Sequence, residues 1–76
     1  MSFNTNLTDE LNLLSQFNLA NEQDGIKIHH DATSELKSAA EKLHGKGLIT
    51  QKDGGYLTDL GRKAAEHTQA LSSILK

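Results

Sequence analysis

The sequence predicts a small α+β fold in the order helix, short strand, helix, β-hairpin, long C-terminal helix. Three observations carry this expectation. Apolar residues recur at spacings of three and four in three separate segments. The run Ile26 to His30 alternates apolar with polar, as a half-buried strand does. Asp53-Gly54-Gly55 stands between two β-like runs and supplies the backbone freedom of a hairpin turn.

The first helix is expected to start near Thr8, whose hydroxyl caps the first turn while Asp9 and Glu10 complement the dipole. Leu7, Leu11, Leu14 and Phe17 form its apolar stripe. Residues 1–6, polar apart from Met1 and Phe3, read as a loosely held lead-in to a single domain over residues 7–76. The polar segment Asn21 to Gly25 ends the helix. A strand follows over Ile26 to His30, with both isoleucines facing inward.

The second helix begins at Thr33 or Ser34 and buries Leu36, Ala39, Ala40 and Leu43. It ends with Gly47 at C′, which places Leu48 at C″ and Leu43 at C3, the two side chains that meet in a Schellman ending. Leu48 to Lys52 and Tyr56 to Thr58 are the hairpin strands. The last helix runs from Thr58 or Asp59 to Leu75. Its residues Leu57, Leu60, Ala64, His67, Leu71 and Ile74 fall into a seven-residue repeat about two heptads long, too short for a free-standing coiled coil.

Composition narrows the function classes. A chain of 76 residues buries only about 60% of its unfolded surface, so its core is thin. It has no cysteine to supply disulfides or thiolate metal ligands, which leaves association with a second copy or a partner as the route to further stability. The amino end does not read as a signal peptide, and no apolar run reaches the ~18 residues of a membrane span, so a cytoplasmic protein is expected.

Catalysis lacks its parts. There is no cysteine nucleophile, no G-x-S-x-G elbow and no G-x-x-x-x-G-K-[ST] loop. The carboxylates Asp9, Glu10, Glu22, Asp24 and Glu35 lie in polar or helix-starting positions that capping explains, so no enzyme is expected. His29-His30 invites a metal, with His44, His67, Asp31 or Asp53 as partners. Neighbouring strand residues point to opposite faces, however, and zinc wants about four convergent ligands, so no metal and no cofactor are expected.

The segment Ala39 to Ala65, AAEKLHGKGLITQKDGGYLTDLGRKAA, resembles the end of a recognition helix, the wing and the next helix of winged-helix regulators of the multiple-antibiotic-resistance-repressor type. The matching positions are Leu43, Lys46, Gly47, Leu48, Ile49, Asp53, Gly54, Gly55, Leu57, Thr58 and Gly61, a little over a third of the chain. One departure is visible: Asp31 to Lys46 has room for one helix where a full winged-helix domain has two. Over nearly its whole length the chain also resembles a small family of bacterial proteins of this size with no assigned function, through GIKIHH, GLITQKDGGYLT and AAEH.

The winged-helix resemblance implies DNA binding by a transcription-associated protein. Double-stranded DNA is then the expected partner, and Lys37, Ser38, Lys42, Lys46, Gln51 and Lys52 are the expected contacts, with Lys27, His29 and His30 at the rim and Ser34 and Glu41 near base edges. The net charge of −2 and pI near 6.0 require any such face to be a local patch. A homodimer through the last helix, by way of Leu71, Ile74 and Leu75, is expected for such a DNA-binding unit. The alternative is a protein-interaction module, for dimerisation or as an adaptor, without nucleic-acid binding. Against pairing stands the option that this stripe packs on Leu11, Leu14 and Phe17 of its own chain.

Overall fold

The structure is a computed structural model that describes residues 4–21 and 23–76. Its elements are α1 (Thr5–Leu14), β1 (Ile26–Lys27), α2 (Ser34–Gly45), β2 (Ile49–Gln51), β3 (Gly54–Leu57) and α3 (Asp59–Leu75), in the predicted order. The strands form one antiparallel sheet in the order β1-β3-β2. Among the described residues a single helix separates β1 from the hairpin. No helix among them is long and apolar enough to cross a membrane.

Local chemistry places the helix starts. Asn4, not Thr8, caps α1: its side-chain oxygen accepts the Leu7 amide at 2.8 Å, and asparagine outranks threonine at this position. Thr8 lies within the helix, its hydroxyl donating back to the Asn4 carbonyl. Residues 4–6 are therefore cap and first turn, while Met1 to Phe3 lie outside the described residues. Thr33 and Thr58 cap α2 and α3 in the same way, through the amides of Leu36 and Gly61.

α2 ends in the expected Schellman motif. The Leu48 amide donates to the Leu43 carbonyl and the Gly47 amide to the His44 carbonyl, both at 3.0 Å, with Gly47 at φ +79°.

The hairpin differs from expectation. Its tip is Lys52-Asp53, and Gly54 and Gly55 belong to β3, the central strand. They pair with Lys27 and Ile26 of β1, and a Cβ on Gly54 would overlap the Ile26 carbonyl oxygen. Gly55, at φ +74°, marks a bulge opposite Thr50, whose hydroxyl accepts the Tyr56 amide. The glycines thus let a third strand approach, which a reading of the hairpin alone does not reveal. β1 is shorter than the predicted 26–30 because the chain turns at His29, whose carbonyl accepts the Ala32 amide.

The core is built from Leu13, Leu14, Phe17, Ile28, Ala39, Ala40, Leu43, Ile49 and Ala65. The inward residues of α1 are Glu10, Leu13 and Leu14, while Leu7 and Leu11 are only half-buried. The helix ends at Leu14, well before the polar segment from Asn21 that was expected to end it, so the buried Phe17 lies in the turn beyond the helix. α3 contributes small residues, Gly61 and Ala65, so its backbone lies close against its neighbours. Gly61 sits so near Leu48 that a Cβ would overlap the Leu48 carbonyl oxygen. Two polar side chains fasten the rest of α3: Arg62 donates to the Leu19 carbonyl at 3.0 Å, and Gln69 donates to the Phe17 carbonyl at 2.8 Å.

Two glycine substitutions separate close approach from helix propensity. Gly61→Ala forces backbone against backbone and is expected to cost about 3 kcal/mol, near the upper end of overpacking effects. Gly45→Ala, in the last turn of α2 with nothing within 4 Å of a new Cβ, is expected to gain up to about 1 kcal/mol. Thermal unfolding of the two variants beside the wild type checks both signs.

Candidate functional site

The buried side of α2 (Leu36, Ala39, Ala40, Leu43) fixes which residues look outward. At 100° per residue the opposite side carries Ser34, Ser38, Glu41 and Gly45, with Lys37 on the flank nearer the sheet and Glu35 and Lys42 on the flank nearer α1. No large apolar side chain stands on this face, so it is a polar surface beside a hairpin.

A groove of about 360 Å³ runs between α2 and the hairpin. Lys37 and Glu41 line it from the helix, Lys52 and Asp53 from the hairpin tip, and Lys27, Ile28, His29 and His30 from the end of β1. On its sheet side Lys27 and Asp53 form an ion pair at 2.7 Å. The hydrogen bond from the Lys27 ammonium, with its charge, holds the Asp53 carboxyl below the ordinary aspartate value of 3.8 against the smaller opposing effect of desolvation. Among the described residues no three His, Cys, Asp or Glu side chains gather as a metal site.

The six predicted contact residues do not form one surface. Lys37 and Lys52 meet in the groove. Ser38 and Lys42 line a separate hollow against α1, where Asp9 and Glu35 are their neighbours. Gln51 faces another hollow beside Gly25 and Tyr56. Lys46, at the C-cap of α2, reaches across to α1 and pairs with Glu10 at 2.6 Å.

The Glu10–Lys46 pair is the feature that sequence reasoning missed. The Glu10 side chain is 6% exposed and that of Lys46 is 55%, so a buried carboxylate is held by a cation at the surface. A signal for it existed: Glu10 precedes Leu13, Leu14 and Phe17 at spacings of three, four and seven, the positions of one helix face. A carboxylate on a buried stripe needs a partner, since an unpaired charge there is costly. Reading Glu10 as a residue of the helix start concealed this; with Asn4 as the cap it lies past the first turn.

Fold and surface together define a small α+β domain that displays a polar helix face alongside a β-hairpin. The chain belongs to a family of unknown function, whose model (Family of unknown function, DUF5669) matches residues 1–76. Neither the curated proteins nor the solved structures yield a match.

Removing the Lys46 ammonium leaves the Glu10 carboxylate buried without its cation. Lys46→Met is therefore expected to lower stability by about 1–3 kcal/mol, with Lys42→Met close to neutral. Adding Glu10→Gln to the Lys46 variant should recover much of the loss in urea unfolding.

At the hairpin, the native Asp53 value lies below the unfolded one. The contribution of the Lys27 pair is thus present above the unfolded value and fades as pH falls through the native one. An NMR titration should place the Asp53 midpoint below 3.8, and Lys27→Gln should raise it towards that value.

Proposed function

We propose that this protein is a non-enzymatic, winged-helix-like DNA-binding unit, with α2 as the helix that enters the major groove and the β2–β3 hairpin as the wing. The observation that carries this reading is the outward polar face of α2 set directly beside a hairpin whose tip bears Lys52. The sheet order β1-β3-β2, with its wing between α2 and α3, supports it as an architectural likeness. Ser34 and Ser38 suit base edges, where a hydroxyl donates or accepts. Lys37 and Lys52 suit backbone phosphates, and His29 and His30 extend that rim.

The contact set is smaller than the sequence implies. Lys46 serves Glu10, Lys42 stands on the α1 flank of the helix, and Gln51 lies outside the groove. With few phosphate contacts per copy, binding is expected to be weak and moderately salt-dependent, with a log–log slope of about −2 to −4 for two to four lysines. A protein-interaction role without nucleic acid is the second reading. What favours it is the balance of charge, since Glu41 and Asp53 line the same groove as Lys37 and Lys52.

Fluorescence anisotropy with a random-sequence duplex at about 50 mM and 200 mM salt separates the two. Micromolar affinity that falls with salt, and that Lys37→Glu with Lys52→Glu abolishes, is the expected result. No binding at the lower salt would discard the DNA reading and leave the interaction module.

A further inference from the structure

α3 turns its largest apolar residues to solvent. Leu60 is 56% exposed, Leu71 47%, Ile74 78% and Leu75 75%, while the side facing the core carries Gly61 and Ala65. The sequence left open that this stripe packs on Leu11, Leu14 and Phe17 of its own chain. That packing is incomplete: Leu71 and Leu75 line a hollow beside Leu11 but stay largely exposed, as does Ile74, while the polar hold of Arg62 and Gln69 presents the small residues inward. On the order of 450 Å² of these four residues stands exposed per copy, comparable to the apolar part of one side of a standard-size interface, about 800 Å² of which roughly 57% is apolar. Isolated surface leucines need no explanation, but four large apolar residues exposed on one face of one helix, with half-buried Ala64 and exposed His67 between Leu60 and Leu71, do.

We propose that the occupant of this stripe is a second copy of the chain, with the two α3 helices packed antiparallel about a two-fold axis near His67 and Thr68. The stripe is complementary to itself in that direction. An axis between residues 67 and 68 sets Leu60 opposite Leu75 of the second copy and half-buried Ala64 opposite its Leu71, so each small residue receives a large one. The parallel arrangement sets Ala64 against Ala64 and leaves a void that close packing disfavours.

A second feature fits the same axis. A hollow of about 320 Å³ lies between α1 and the end of α3, walled by Leu11, Leu71 and Leu75. The antiparallel arrangement delivers Leu60 of the other copy to its mouth, twice over, as an isologous interface requires. Lys63 flanks the stripe and comes opposite the uncharged stretch around Ala70 and Ser72, while the exposed His67 of each copy stands beside its counterpart at the axis. The helix dipoles then also oppose one another.

The native chain has no cysteine, so introduced thiols report cleanly. Sedimentation of the wild type without DNA should give twice the 8.3 kDa chain mass, and Leu71→Asp with Ile74→Asp should give the monomer with an unchanged helical circular-dichroism signal. Ala64→Cys and Leu71→Cys, mixed and mildly oxidised, should yield a cross-linked dimer containing one of each, while either variant alone should yield little. Efficient cross-linking of each variant to itself would overturn the antiparallel arrangement. A wild type that sediments as a monomer throughout would overturn pairing with a second copy and assign the stripe to a different protein. None of these readouts involves nucleic acid, so the outcome is separate from that of the DNA-binding test.

Discussion

The carbonyl of Leu48 is the point on which the arrangement of the domain turns. It accepts the Thr58 amide at 3.1 Å and lies against the bare Cα of Gly61, so the first turn of α3 is seated directly on the exit from α2. The Thr58 hydroxyl strengthens the junction from both sides, donating to the Gly47 carbonyl at 2.6 Å and accepting the Gly61 amide at 3.0 Å. With the Schellman turn fixing Gly47 and Leu48, the end of one helix, the start of the hairpin and the start of the next helix share one small volume. The hairpin leaves this junction at Ile49 and returns to it at Leu57, the two residues that pair across the sheet. Its position beside α2 is therefore set by backbone hydrogen bonds and one missing side chain together with the burial of Ile49 against the core.

Away from that junction, polar side chains do much of the joining. Lys46 ties the end of α2 to the middle of α1, and Gln69 ties the middle of α3 to the carbonyls at the end of α1. Arg62 holds the connection after α1 through Leu19. A chain this small has a thin core, and side-chain hydrogen bonds to the carbonyls of Phe17 and Leu19, in the connection after α1, add joins that apolar burial alone does not supply. The same economy shapes both surfaces. It removes Lys46 from the face of α2, and it lets α3 keep its leucines outside.

The elements themselves were legible because each depends on local chemistry. The Schellman ending follows from Gly47 placed between Leu43 and Leu48, and the caps at Thr33 and Thr58 follow from side chains that reach an amide three residues on. Other local readings failed: α1 stops at Leu14 and β1 at Lys27, both short of expectation, and elsewhere a competing local group won or a distant strand intervened. Asn4 captured the start of α1 ahead of Thr8, and β1 turned the two glycines from a loop tip into the middle of a sheet.

The candidate site was less legible than the fold. Lys37 and Lys52 come together and Ser38 stays on the outward face of α2, but Lys42, Gln51 and Lys46 go to three other places. By itself the sequence determined the number and order of the elements and the ends of α2 and α3, since capping, helical periodicity and glycine placement act within a few residues of one another. Only the tertiary structure decided which side of each helix is covered and which cation already has a partner. Glu10 and Lys46 are 36 residues apart in the chain, and nothing at either position encodes the distance between them in space. Facing is settled by the neighbours that a helix packs against, and those are chosen by the whole fold.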